Sequence, residues 1–124
     1  VEPRIVMDHF RLVQVFRNIL ENALAACSDP VKIVIAARHL AEDDAVEVTV
    51  SDNGPGMNLE QRKRIFEPFF TTKSKGTGLG MALAQRFVEA HGGRIRAECP
   101  SAGGTRITIV LPREPAVAVV AEAG

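Results

Sequence analysis

Apolar periodicity, a capping pair and terminal glycines predict three helices in the chain. The first segment, residues 9 to about 27, predicts an amphipathic helix. Its predicted core face consists of Leu12, Phe16, Ile19, Leu20, Ala23 and Leu24. The capping pair Asn58 and Gln61 predicts a short helix that runs to about residue 66. A third helix is expected over about residues 79–91, because two glycines follow it directly.

Period-two alternation and turn residues mark the strands. Residues 31–40 and 45–51 are predicted to form a hairpin, since alternate valines of the second segment indicate one buried face. Residues 94–99 and 105–111 form a second predicted hairpin, and residues 4–7 are a short β-prone segment. Two hairpins with helices between them predict an α+β fold, a two-layer sandwich with a mixed sheet covered on one face by helices.

Composition narrows the class of protein. The 124 residues fit one domain, and fifteen basic residues balance fifteen acidic ones, which favours neither a nucleic-acid partner nor a membrane surface. No apolar run reaches the roughly 20 residues of a transmembrane helix. Cys27 and Cys99 are interpreted as small, buried or half-buried hydrophobes, which suggests a cytosolic compartment. The chain starts at Val1, so we expect a fragment of a longer protein.

Two glycine-rich loops carry the candidate chemistry. The first reads DNGPGM over residues 52–57, and the second reads GTGLG over residues 76–80 and leads into a helix. Glycine lets backbone N–H groups approach phosphate oxygens closely, and a helix N-terminus favours anions. Asp52 is expected to accept a hydrogen bond from the adenine 6-amino group. The second loop does not follow a strand, so it fails the context of a dinucleotide-binding fold.

Two asparagines on the first helix complete the predicted pocket. Asn18 and Asn22 are four residues apart, so their side chains share one helix face. An amide oxygen is a hard, neutral donor that suits Mg²⁺ already shared with phosphates. Glycine loops and asparagines together predict a site for a nucleotide with its metal.

Four motifs in order resemble those of sensor histidine kinases. Residues 18–23 (NILENA), 52–57, 65–70 (IFEPFF) and 76–80 look like the N box, first glycine box, F box and second glycine box. These kinases belong to the GHKL group, together with gyrase, MutL and the heat-shock chaperone ATPases. The resemblance implies a Bergerat ATP-binding fold, with a mixed sheet of about five strands and three main helices. Residues 1–113 would be the catalytic domain and residues 114–124 a disordered tail.

The resemblance also implies roles for particular residues. Asn22 would be the Mg²⁺ ligand, Asn18 a catalytic residue beside the phosphates, and Asp52 the adenine reader, with residues 67–77 as a lid over ATP. The implied ATP-binding residues are Asn18, Asn22, Asp52, Gly54, Gly56, Met57, Phe66, Phe70, Thr71, Thr72, Lys73, Lys75, Gly76, Thr77, Gly78, Leu79, Gly80, Met81 and Thr105. Many family members carry a basic residue at the position of Ala25, so phosphate charge is expected to meet Lys73 or Lys75 instead.

One departure separates kinase from hydrolase. Hydrolytic members of the group activate water with a Glu at the position of Asn18, which cannot act as a base. The sequence context of His9, His39 and His91 does not fit a phosphoacceptor. We therefore expect a cytoplasmic histidine-kinase catalytic domain, whose partners are a separate histidine-bearing dimerisation domain and, through it, a response regulator. The alternatives are a stand-alone serine kinase of the anti-sigma type and a nucleotide-binding module without catalysis.

Overall fold

The computed structural model describes residues 9–27, 30–69, 79–101 and 103–113. Its elements, in chain order, are α1 (His9–Ala26), β1 (Ile33–Leu40), β2 (Ala45–Asp52), α2 (Leu59–Arg64), α3 (Gly80–Ala90), β3 (Arg94–Glu98) and β4 (Arg106–Pro112). Every helix and strand predicted within the described ranges is confirmed, with ends that differ by no more than two residues.

The four described strands form one sheet in the order β1-β2-β4-β3. Each neighbouring pair is antiparallel, and β2 pairs with β4 through Val50↔Ile107 and Ser51↔Arg106. The α+β class is confirmed. The expected mixed sheet of about five strands appears in the described residues as four antiparallel strands, and the predicted strand over residues 4–7 lies outside them.

The helices cover one face of this sheet. Val50, Ile107, Ile109 and Leu111 point to the same side of β2 and β4, as their cross-strand pairing requires. These four side chains form a single core cluster with α1 and α3 residues such as Val15, Ile19, Ala84 and Val88. The opposite face carries charged pairs, including Arg38–Glu47 and Arg96–Glu98. The sandwich is thus apolar between its layers and polar outside.

The predicted core face of α1 is partly wrong. Val15, Ile19 and Ala23 are its buried apolar residues, whereas Leu24 is 55% exposed. Leu12, Phe16 and Leu20 pack only partly against the core. The apolar sector of α1 is wider than the strip that the sheet and α3 can cover, so its outer flank faces solvent.

The cap of α2 is observed as predicted. The Asn58 side chain accepts a hydrogen bond from the Gln61 backbone N–H at 2.8 Å, and the Gln61 side chain accepts one from the Asn58 N–H at 3.0 Å. This reciprocal pair is a capping box. None of the six residues of α2 is buried, so local bonds carry much of its stability.

Replacing the cap tests that dependence. Asn58→Ala should lower the free energy of unfolding by about 1 kcal/mol, because the Gln61 N–H loses its acceptor. Asn58→Asp keeps an acceptor at the same place and should change stability by less than about 0.5 kcal/mol. Urea unfolding followed by circular dichroism measures both. Equal stabilities of the two variants would show that the capping box contributes nothing.

Candidate functional site

The candidate site lies where β2 ends and β4 begins. Asp52 is the last residue of β2, and Thr105 directly precedes β4. The Asp52 backbone N–H donates to the Thr105 carbonyl at 2.9 Å, which continues the β2–β4 pairing by one step beyond Ser51↔Arg106. The ends of these two central strands are therefore fixed to each other.

Two backbone amides hold the Asp52 carboxylate. Its Oδ1 accepts hydrogen bonds from the Gly54 N–H at 2.9 Å and from the Thr105 N–H at 3.2 Å. Neither bond uses Oδ2. Among the described residues, no ion pair involves Asp52. A half-buried carboxylate with one oxygen fixed in this way offers its other oxygen as an oriented acceptor for an amine.

Glycines bring the neighbouring loops into contact. Gly104 has φ +78°, and a Cβ there would collide with the Asp52 carbonyl oxygen. Gly56 has φ +77°, and a Cβ there would lie 3.2 Å from the Gly104 carbonyl oxygen. Both positions need the left-handed backbone conformation and the missing side chain that glycine supplies. The first glycine loop and the loop before β4 thus pack backbone against backbone.

Cys99 ties the same two loops together. Its Sγ accepts a hydrogen bond from the Met57 N–H at 3.2 Å and lies 3.4 Å from the Met57 carbonyl, to which it donates. The half-buried thiol agrees with the predicted burial, but it also has a polar role that the sequence did not indicate. A lone cysteine outside any motif carries no signal of such a contact.

The second part of the site joins α1 to α3. The Asn18 Nδ2 donates to the Gly80 carbonyl at 3.0 Å, and the Gln14 Nε2 donates to Asn18 Oδ1 at 2.9 Å. Asn18 is 9% exposed. Asn22 lies one helical turn later on the same face and is half-buried. Asn18 therefore contacts the first residue of α3, and its burial differs from the solvent-facing stripe expected opposite the core face.

Shared packing links the two parts. Ile19 follows Asn18, Met81 follows Gly80 and Val50 precedes Asp52 by two residues, and all three belong to the same core cluster. Met57 and Phe66 pack against this cluster, while Phe69 is 76% exposed with φ +68°. The remaining predicted site residues lie outside the described ones: Phe70, Thr71, Thr72, Lys73, Lys75, Gly76, Thr77 and Gly78.

Sequence reasoning missed three contributors to this geometry. They are Cys99, Gln14 and Asn53. The Asn53 side chain accepts a hydrogen bond from the Lys32 N–H at 3.0 Å and donates one to the Pro30 carbonyl at 2.8 Å. Asn53 thereby fixes the segment that leads into β1. Its place beside Asp52 was visible in the sequence, but a partner more than twenty residues away was not.

Charge on the outer sheet face is separate from this site. The Arg38 side chain, hydrogen-bonded to Glu47 at 2.8 Å, lowers the pKa of that carboxyl. Arg96 lowers the pKa of Glu98 in the same way.

Within the described ranges, no group of three or more His, Cys, Asp or Glu side chains could hold a metal ion. None of the described helices has the length and apolarity needed to cross a membrane.

Comparison with known proteins agrees with this geometry. A family model described as histidine kinase-, DNA gyrase B- and HSP90-like ATPase matches residues 7–115. The chain belongs to this family. Its ATPase fold implies ATP binding.

Curated relatives of the chain are sensor kinases. It is 44% identical to the signal transduction histidine-protein kinase AtoS of Escherichia coli, over 87% of this chain and 18% of that protein. It is 45% identical to the sensor histidine kinase ZraS of Klebsiella oxytoca, over 88% of this chain and 23% of that protein. The chain thus spans about a fifth of the length of these relatives.

Solved structures show the same fold. The mycobacterial sensor histidine kinase MprB superimposes with a TM-score of 0.81 at 30% identity, covering 90% of this chain and 78% of that one. The catalytic domain of the histidine kinase ThkA gives a TM-score of 0.80 at 35% identity, covering 90% and 72%. The sequence-based expectation of a histidine-kinase catalytic fold is therefore confirmed.

Substitution of the adjacent glycines Gly103 and Gly104 tests the contact between the loop before β4 and the Asp52 backbone. Gly104→Ala should lower the free energy of unfolding by roughly 3 kcal/mol or more, because the new Cβ meets the Asp52 backbone. Gly103 has φ +108° and open space around its Cβ position, so Gly103→Ala should cost only about 1–2 kcal/mol from backbone strain. Urea midpoints compare them. Equal destabilisation would contradict the close approach of the Gly104 backbone to Asp52.

Proposed function

We propose that this chain is the ATP-binding catalytic domain of a two-component sensor histidine kinase, and that it transfers the γ-phosphoryl group of ATP to a histidine on a separate dimerisation domain. The observation that carries the proposal is the Asp52 carboxylate, held through Oδ1 by the Gly54 and Thr105 amides. Membership of the ATPase family supports ATP as the bound nucleotide, and the similarity to histidine kinases supports histidine as the phosphoryl acceptor.

Adenine recognition follows from the orientation of Asp52. The carboxylate accepts hydrogen bonds only, and its Oδ1 already receives two. Oδ2 then accepts the 6-amino group of adenine, a donor that guanine lacks at this position. Gly54 and Gly56 leave room beside it for the flat base. Met57 ends this loop and the Thr105 N–H contacts Asp52, so both are proposed ATP-binding residues.

The phosphate end would lie beside α1 and α3. Asn22 is half-buried on the α1 face that carries Asn18, and its amide oxygen has the hard, neutral chemistry that suits Mg²⁺. The residues present therefore fit a magnesium ion shared with the phosphates, which would neutralise charge during transfer. The Asn18 Nδ2 has a second N–H to offer a phosphate oxygen. Lys73 and Lys75 remain proposed phosphate contacts.

The same geometry supports phosphoryl transfer over hydrolysis. Asn18 stands where hydrolytic relatives carry Glu, and its amide is engaged by Gln14 and by the Gly80 carbonyl. An amide cannot take a proton from water at neutral pH. The acceptor domain would supply the nucleophile, and this domain would supply positioned ATP and charge neutralisation.

The proposed partners are the histidine-bearing dimerisation domain and a response regulator. A solved structure of ThkA contains the response regulator protein TrrA, and 90% of this chain aligns with that kinase at a TM-score of 0.76. We place this domain on the cytoplasmic side of whatever kinase contains it. A serine kinase of the anti-sigma type and a binding module without catalysis are the alternatives.

Asp52→Asn should change base preference. The side-chain oxygen will stay with the Gly54 and Thr105 N–H donors, so the new NH₂ group takes the place of Oδ2. Affinity for ATP should fall by about 1–3 kcal/mol, because donor then faces donor. Inosine triphosphate, which has an acceptor at the 6-position, should bind the variant better than ATP does. Competition against a fluorescent ATP analogue measures both nucleotides.

Asp43→Asn is the matched control for that experiment. It makes the same change of charge in the β1–β2 turn, at the opposite end of β2 from Asp52. It should leave both affinities unchanged. If the wild-type chain bound ATP and inosine triphosphate with equal affinity, the proposed role of Asp52 in adenine recognition would be wrong.

Phosphotransfer assays distinguish a histidine kinase from a serine kinase and from an ATPase. The chain alone with Mg-ATP should hydrolyse little and should not label itself. Addition of its kinase's dimerisation domain should produce an acid-labile phosphohistidine there, and a domain lacking the acceptor histidine should stay unlabelled. Acid-stable phosphoserine on a protein substrate would favour the anti-sigma type. Brisk turnover without an acceptor would instead indicate an ATPase.

A further inference from the structure

Two side-chain amides connect α1 to the start of α3. The Gln14 Nε2 donates to Asn18 Oδ1 at 2.9 Å, and the Asn18 Nδ2 donates to the Gly80 carbonyl at 3.0 Å. Gln14 is exposed, whereas Asn18 is 9% exposed. We call Gln14, Asn18 and the Gly80 carbonyl the amide relay.

The direction of the relay is fixed by its backbone end. A backbone carbonyl can only accept, so Asn18 must donate to Gly80 through Nδ2. Asn18 Oδ1 then faces Gln14 and requires a donor, which only the Nε2 end of Gln14 provides. A flipped Asn18 amide would place oxygen against oxygen at Gly80. The Gly80 carbonyl therefore fixes which end of the Asn18 amide is nitrogen, and Asn18 in turn fixes the Gln14 amide.

The relay acts at the first residue of α3. Gly80 has no side chain, and a Cβ there would lie in ordinary contact with Asn18, 3.6 Å from its Cβ and Cγ. Leu79 precedes α3 and contributes no side-chain cap. The Gly80 carbonyl is thus attached to α1 through Asn18.

We propose that Gln14 is a positioning residue for the phosphate end of the nucleotide site. It acts through Asn18: by donating to Oδ1, it keeps Nδ2 directed at the Gly80 carbonyl and holds the first turn of α3 against α1. The second N–H of Asn18 Nδ2 then has a fixed direction toward the phosphates. This inference rests on the proposed nucleotide function.

Two substitutions at position 14 test the relay. Gln14→Glu keeps the shape but presents only acceptors to Asn18 Oδ1, and Gln14→Met removes the donor without adding charge. Each should weaken Mg-ATP binding about three- to tenfold, the range of one lost hydrogen bond. Adenosine has no phosphates, so its affinity should change less than about twofold. Because Gln14 is exposed, the unfolding midpoints should stay near that of the wild type.

A matched control makes the same amide-to-carboxylate change elsewhere. Gln85→Glu lies on α3, five residues after Gly80, and should leave the ATP-to-adenosine affinity ratio of the wild type unchanged. A double variant measures the energetic coupling between Gln14 and Asn18. In an Asn18→Ala background, Gln14→Met should cause no further loss of ATP affinity, because its only route to the nucleotide is gone.

The nucleotide-free protein gives a readout that does not depend on the function. Gln14→Glu should shift the Asn18 side-chain amide and the Gly80 carbonyl signals in NMR spectra. Unshifted signals, or equal losses for ATP and adenosine, would overturn the relay while leaving the nucleotide function intact. A wild-type chain that binds no nucleotide would overturn the proposed function, and the NMR signals would still decide whether the relay exists.

Discussion

The contact between the Asp52 backbone and the Gly104-Thr105 backbone is the constraint on which the site depends. It exists because position 104 has no side chain and adopts φ +78°. The contact brings the Thr105 N–H within 3.2 Å of Asp52 Oδ1 and fixes the carboxylate at the end of β2. A carboxylate on a free loop would lose much of its directional selectivity, since it could rotate to meet any donor.

The sheet transmits this constraint to the rest of the molecule. The β2–β4 register sets which residues meet at the strand ends, and it also places Val50 and Ile107 side by side under the helices. The helices then bury that apolar face, and α1 and α3 meet where Asn18 contacts Gly80. Packing and recognition therefore depend on the same register. A slip by one residue would expose Val50 and misdirect Asp52 together.

Local signals in the sequence predicted most of this arrangement. Helical and strand periods, the capping pair and the glycines gave the elements and the positions of Asp52, Asn18 and Asn22. Long-range pairing could not be read in the same way: the Cys99–Met57 bonds and the Asn53–Lys32 bond join segments whose proximity only the fold creates. The exposed flank of α1 was not predicted. An apolar residue such as Leu24 can be buried only where a neighbouring helix or strand covers it, and the sequence does not show which elements are neighbours.

The most direct test of the account is a titration of the labelled chain with Mg-ATP, adenosine and inorganic triphosphate, followed in amide ¹H–¹⁵N spectra. We expect saturable shifts of the Gly54, Gly56 and Thr105 amides with ATP and with adenosine, but not with triphosphate. The Asn18 and Asn22 side-chain amides should shift only with the ligands that carry phosphates. Shifts confined to the outer sheet face, or no saturable shift near Asp52, would contradict an adenine site at the end of β2.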